Sequence, residues 1–318
     1  MVLKALDIFS GGGGSSWGAR ATGISPVCAI DMCPIATATY KENFPGTEVI
    51  TSRLEDICPD TLRNRIGEID VLLASPECTS HTCAKGSSPR SEESRATAMQ
   101  LIRFARASRP RWIVMENVPH MRPWSRYGEL KSELMRLGYR LCEQILDASE
   151  FGVPQKRRRL FLTADIEQEP KLVIPPANKS VRPASEVLDL EGTWNTTPLK
   201  RNGRAKGTLE RAARAILALG KNAKFLIVYY GTDGGGGWQR IDRPLRTITT
   251  VDRFALIEPS DDGHRMRMLQ VPELRRAMGF GNDFKLDHGT RRDRIRMLGN
   301  GVCPPVMKAV VESLTSGA

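Results

Sequence analysis

Residues 7–14 read Asp-Ile-Phe-Ser-Gly-Gly-Gly-Gly and follow a short apolar run. Four consecutive glycines weaken a helix or a strand, so they mark a turn at which the backbone can pass close to a ligand. A strand before the turn and a helix after it would set a helix N-terminus, with its unpaired N–H groups, beside a carboxylate or phosphate. The turn alone does not choose among ligands, since nicotinamide, flavin and S-adenosylmethionine folds all use one.

The first half of the chain supports this reading by alternation. Strand-like runs at 3–9, 27–32, 48–54, 69–75 and 112–118 are interleaved with helical periodicity at 35–44 and 91–107, and another helix runs from 127 to 137, ending near Gly138. Two further strand-like runs follow at 140–146 and 159–166. Such alternation predicts an α/β, doubly wound, Rossmann-like sheet whose ligands lie beyond the carboxyl ends of its strands. After Glu167 the texture changes, with prolines at 170, 175, 176 and 183. Residues 198–224 are mostly small, polar and basic, with Glu210 the one acidic counterweight from Lys200 to Lys224. That stretch reads either as a solvated linker and helix or as a phosphate-contacting surface.

Composition narrows the partners. Lys and Arg outnumber Asp and Glu by 47 to 36, a formal charge of +11, which suits a polyanion better than a neutral metabolite. No stretch approaches the about 18 apolar residues of a membrane span, so a soluble, non-secreted, cytoplasmic protein is expected. Seven cysteines without CxxC pairs argue against a disulfide framework and a zinc site, and leave room for a nucleophilic thiol. His81, His120, His264 and His288 lack metal-ligand spacing, so no metal role is expected.

Several residues at predicted strand ends carry chemistry. Asp31 closes the second strand, where it either accepts ribose hydroxyls of an adenosine ligand or caps the next helix. Cys78 lies in Ala74-Ser-Pro-Glu-Cys-Thr-Ser-His-Thr82, after the fourth strand, in a polar loop continuing through Lys85 to Arg90. A thiolate there would be a strong nucleophile. Glu116, in Glu116-Asn-Val-Pro119, ends the fifth strand on the same sheet edge, where desolvation would keep its carboxyl protonated as an acid or donor. Gln155, Arg157 and Arg159 alternate, so an extended strand would put all three on one side.

In this order, these segments resemble the C5-cytosine DNA methyltransferase family over nearly the whole chain. Asp7–Gly14, with Asp7, Phe9, Gly11 and Gly13, is similar to the family's first cofactor motif. Ile30-Asp-Met32 is similar to its ribose and adenine contacts, and Glu55-Asp-Ile57 to the segment meeting the adenine amine. Pro76–Cys78 resembles the Pro-Cys loop, Ser94-Arg95 a later loop position, Glu116-Asn-Val the catalytic Glu-Asn-Val, and Gln155, Arg157 and Arg159 the Gln-x-Arg-x-Arg motif. Arg243-Pro-Leu-Arg-Thr-Ile-Thr-Thr250, Pro272–Phe280 and Gly299-Asn-Gly-Val-Cys-Pro-Pro305 resemble the ninth and tenth blocks.

The resemblance implies an S-adenosylmethionine-dependent DNA cytosine-5 methyltransferase acting on double-stranded DNA. Its catalytic and cofactor domain would span 1–168, completed by 299–318, and a smaller target-recognition domain 169–298. It implies Cys78 as the nucleophile at C6, Glu116 at N3 and the exocyclic amine, Arg159 at O2, Arg157 on nearby backbone or phosphate, and Asn117 bracing the loop. Phe9 and Met32 would sandwich the cofactor adenine; Asp31, Asp56, Ile57, Asn300 and Val302 would complete the pocket. A monomer is expected, encoded by a bacterium or a phage, with a restriction endonuclease as a conceivable companion. Glu77, Thr79 and His81 depart from the common Pro-Pro-Cys-Gln-Gly-Phe-Ser pattern, which bears on loop behaviour and rate, and Cys83 has no family counterpart. Competing readings are an RNA-directed (tRNA) branch of the family and a silent nucleic-acid binder; a dinucleotide oxidoreductase would leave the later motifs unexplained.

Overall fold

The computed structural model describes residues 2–77, 92, 96–177, 180–230 and 235–316. Its first sheet is built from β1 (Lys4–Ile8), β2 (Ser25–Asp31), β3 (Glu48–Thr51), β4 (Val71–Ala74), β5 (Trp112–Asn117), β6 (Arg140–Asp147) and β7 (Arg158–Asp165). The strand order is β3-β2-β1-β4-β5-β7-β6. The first five strands pair in parallel, joined through α1 (Gly14–Arg20), α2 (Pro34–Asn43), α3 (Pro59–Ile66) and α4 (Gln100–Ser108). β4 is apolar throughout and buried at every position, as a strand covered on both faces must be.

The parallel rule stops at β5. After α5 (Tyr127–Arg136) the chain forms β6 at the sheet edge, then returns as β7 between β5 and β6, antiparallel to both. This return carries Arg159 back to the carboxyl end of β5, next to Glu116.

A second sheet, ordered β10-β9-β11-β12-β8, is antiparallel and made of β8 (Thr197–Pro198), β9 (Phe225–Val228), β10 (Trp238–Arg240), β11 (Phe254–Ser260) and β12 (Gly263–Met268). Period-two alternation divides its side chains. Phe225, Ile227, Ala255 and Ile257 pack against α6 (Lys206–Leu219), which buries Ala212 and Ala215. Leu226, Val228 and Leu256 turn the other way and join Ala5, Leu73 and Val114 of the first sheet in one continuous apolar core. The basic stretch read as a solvated linker and helix or as a phosphate-contacting surface thus contains an amphipathic helix whose apolar side closes the small sheet.

Three C-terminal helices return the chain to the first sheet: α7 (Val271–Ala277), α8 (Arg291–Asn300) and α9 (Pro304–Thr315). In α9, Val306, Met307, Val310, Val311 and Leu314 form a buried stripe at helical spacing, and the helix packs on α1. Among the described residues no helix is long and apolar enough to cross a membrane.

The small sheet is fastened to α7 by a buried bidentate ion pair. Arg267 donates to both carboxylate oxygens of Glu273 at 2.7 Å, and the same carboxylate accepts the Asp189 and Gln270 amides at 2.9 and 2.6 Å. Both side chains are at most 4% exposed. Removing one member leaves an uncompensated buried charge, so Glu273→Ala is expected to lower stability by about 3–5 kcal/mol. Urea unfolding should show a lower midpoint at unchanged slope.

Candidate active site

The glycine turn between β1 and α1 is fixed by Ser10 N–H donating to the Ile30 carbonyl at 3.0 Å and by Gly13 N–H donating to Ser10 at 2.9 Å. Phe9 holds a left-handed backbone, φ 56°, which is uncommon for a bulky residue and places local strain at the turn. Gly13 has φ 99°, and a Cβ there would come within 2.7 Å of the Phe44 ring. Gly14 is constrained by proximity instead: a Cβ would lie 2.6 Å from the Val302 carbonyl, so the C-terminal segment crosses directly over the turn. Gly11 faces open space.

Asp31 braces this region from β2. Its two carboxylate oxygens accept the Gly11 and Cys33 amides, each at 2.8 Å, tying the turn to the start of α2. Burial raises its pKa and the two amides oppose the rise. A carboxylate offers about four acceptor positions, so these bonds leave capacity for ribose hydroxyls. The helix-start brace and the ligand contact are therefore compatible. Nearby, Arg103 donates to the Leu54 and Ile57 carbonyls at 3.3 and 3.0 Å, shaping a recess lined by Asp56, Ile57 and Cys58. Beneath the turn, Asp7 is fully buried and accepts from Ser16 Oγ at 2.7 Å, while Tyr40 donates to Ser16 at 2.6 Å. Asp7 Oδ1 and Ser10 Oγ are buried without a hydrogen-bond partner. These orphaned atoms and the open side of Gly11 fit a polar ligand at the turn.

At the carboxyl end of β5, Glu116 is buried and its Oε1 lies 3.0 Å from Arg159 Nε. Among the described residues this ion pair is the contact that Oε1 makes. Burial pushes the Glu116 carboxyl upward, opposed by the charges of Arg159 and Arg157. Asn117 donates to the Pro76 carbonyl at 3.0 Å and accepts the Val118 amide at 2.8 Å. Arg157 is buried and donates to the carbonyls of Ile248 at 3.0 Å, Gly299 at 2.7 Å and Gly301 at 2.8 Å.

The chain matches C-5 cytosine-specific DNA methylases over residues 3–316, in one uninterrupted span. It belongs to that family. Among curated relatives, the Type II methyltransferase M.AplI of Arthrospira platensis is 29% identical over 98% of this chain and 85% of its own. M.DdeI of Desulfomicrobium norvegicum is 28% identical over 63% of this chain and 50% of its own. With the first relatives the match thus spans about half of their length or less. The solved structure of S. pombe Dnmt2 methyltransferase shares the fold at TM-score 0.71, 19% identity and 99% and 98% coverage of the two chains.

Within this family member, the structure gathers most of the expected residues along one sheet edge. Glu116, Asn117 and Arg159 meet at the end of β5, while Asp31, Gly11, Gly13 and Val302 surround the glycine turn. Met32 is 65% exposed and Asn300 and Asp56 lie at the surface, open to a ligand. Cys78 lies outside the described residues, as do Thr79, His81, Cys83, Ser94 and Arg95. Arg157, grouped with the catalytic residues and expected on nearby backbone or phosphate, donates to three backbone carbonyls, which is the geometry of a positioning residue. Cys303 lines a small void with Arg157 and Arg159, but burial pushes its thiol up to about 11, which suits packing and not nucleophilic attack. Sequence reasoning missed Ser16 and Tyr40, because polar residues inside helical periodicity look like solvent-facing positions. It also missed Met297, whose sulfur stands 3.7 Å from where a Gly12 Cβ would be.

Burial, more than the Asp31 charge, lifts the Asp7 pKa from 3.8 to about 7, although Ser16 opposes it. Between those values the folded chain keeps a proton that the unfolded chain releases, so raising pH across the window costs stability, up to a few kcal/mol. Asp7→Asn should flatten this decline in urea titrations of the ligand-free protein between pH 4 and 7. A variant that follows the wild-type slope would remove Asp7 as its source.

Proposed function

We propose that the chain is a DNA (cytosine-5-)-methyltransferase that takes its methyl group from S-adenosylmethionine. The observation that carries this reading is the buried Glu116–Arg159 pair beside Asn117, whose amide holds Pro76, two residues before Cys78. An acid, a cation and the approach to a cysteine thereby share the sheet edge that also carries the glycine turn. Asp31, Asp56, Ile57 and Val302, with Phe9 and Met32 about the adenine, would hold the cofactor. When bound, S-adenosylmethionine supplies the methyl as an electrophilic sulfonium substituent.

Cytosine C5 is a weak nucleophile until electron density is added to its ring. In the proposed cycle the Cys78 thiolate forms a bond to C6, and the displaced electron pair moves toward N3 and O2. Glu116, whose carboxyl burial pushes upward, donates to N3, while the Arg159 guanidinium stabilises charge at O2. C5 then accepts the methyl group, a base removes the C5 proton, and the Cys78–C6 bond breaks. Arg157 touches none of these atoms and keeps the surrounding segments in place. The base must leave the duplex stack to reach this edge, at a cost of a few kcal/mol offset by pocket contacts. The small sheet would then serve to read the surrounding DNA, a role in keeping with the Type II methyltransferases among the relatives.

Fluorine at C5 cannot leave as a cation, so 5-fluorocytosine stops this cycle after methyl transfer. A duplex carrying it should give a denaturation-resistant adduct that requires S-adenosylmethionine, disappears in Cys78→Ala and persists in Cys83→Ala. Gel mobility and peptide mass spectrometry read the outcome. An adduct that depends on Cys83 would move the nucleophile, and trapping by RNA but not DNA would overturn the substrate.

A further inference from the structure

Arg246 lies in the ninth block, where the segment before β11 runs beside Pro154–Arg157. Its main chain is clamped. The Arg246 amide donates to Gln239 Oε1 at 3.0 Å, Gln239 Nε2 donates to the Pro244 carbonyl at 2.7 Å, and Leu245 bridges Gln155. The guanidinium is laid against Gly235, where a Cβ would come within 3.1 Å of Nη2. It is half-buried, yet it makes no hydrogen bond or ion pair among the described residues. The carboxylates closest to it in the described sequence face other cations: Asp242 accepts from Arg240 at 2.9 Å and Asp252 Oδ2 from Arg291 at 2.7 Å.

The position of this cation relative to the catalytic edge is equally defined. Tyr230 lies within electrostatic reach of both Arg246 and Arg157 and donates to the Thr247 carbonyl at 2.9 Å. Thr247 Oγ1 donates to the Lys156 carbonyl at 2.8 Å, one residue before Arg157. Lys156 is exposed and likewise has no side-chain partner among the described residues. A clamped guanidinium and the exposed Lys156 on the adjoining segment, both without a side-chain partner among the described residues, are arranged to receive an anion, and a planar guanidinium suits a phosphodiester in particular. Rotation of a nucleotide out of its stack carries the base inward but leaves its phosphate at the rim.

We propose that Arg246 contacts the DNA backbone phosphate at or next to the flipped nucleotide, anchoring the strand while the base enters the pocket. This rests on the DNA reading above. The test uses the full chain, a labelled duplex containing the site found by bisulfite sequencing, and fluorescence anisotropy across a sodium chloride series. Arg246→Gln should weaken binding by about tenfold and reduce the slope of log affinity against log salt by about 1, with the methylated sequence unchanged. Arg246→Lys should keep the slope, and thermal unfolding should be unchanged in both, since among the described residues the guanidinium makes no hydrogen bond or ion pair. An unchanged slope in Arg246→Gln overturns the proposal, as does relaxed choice at one base pair, which would make Arg246 a base reader. If the wild-type chain neither binds nor methylates any duplex, the DNA reading itself fails.

Discussion

A single buried guanidinium organises this molecule. Arg157 immediately precedes β7 of the first sheet and donates to Ile248 before the small sheet's β11 and to Gly299 and Gly301 at the end of α8. The final carbonyls of a helix have no partners of their own and carry the negative end of its dipole, so they are natural acceptors for a cation removed from water. Without them a buried guanidinium would be strongly unfavourable. The two bonds to Gly299 and Gly301 hold the glycine-containing segment 299–302 beside the glycine turn, where Val302 covers Gly14. One side chain therefore joins the catalytic strand, the small sheet and the cofactor side.

Glu116 depends on this arrangement. Desolvation favours its neutral form, while Arg159 at 3.0 Å and Arg157 behind it favour the ionised one. Burial outweighs the two cations, so the Glu116 carboxyl stays raised above the usual carboxylate range. Asp7 is the contrasting case. It has Ser16 but no cation beside it, and desolvation lifts it to about 7.

Much of this was legible in the residues. Alternating strand and helix patterns place β1 to β5 within a few residues of where they occur, and the positions of Asp31 and Glu116 at strand ends follow. Period-two spacing puts Gln155, Arg157 and Arg159 on one side, but spacing cannot say what they meet. Gln155 is spent on the Ala277 carbonyl and the Ile248 amide, Arg157 on three carbonyls, and Arg159 alone reaches Glu116. The antiparallel insertion of β7 was equally hidden, because strand direction leaves no mark on hydrophobic alternation. A helix was among the readings of the basic stretch, but its basic composition suggested a solvated one; its small apolar residues, Ala212 and Ala215, form the contact with the sheet.

The central claim is that Arg157 acts by holding segments together and not by touching the substrate. Calorimetric titration of S-adenosylmethionine into Arg157→Lys, alongside urea unfolding, tests it most directly. A lysine reaches fewer carbonyls, so segment 299–302 should loosen over the glycine turn, and cofactor affinity should fall by roughly tenfold or more, about 1.4 kcal/mol, together with stability. Unchanged affinity and stability, with turnover alone lost, would contradict the account and place Arg157 at the reacting base.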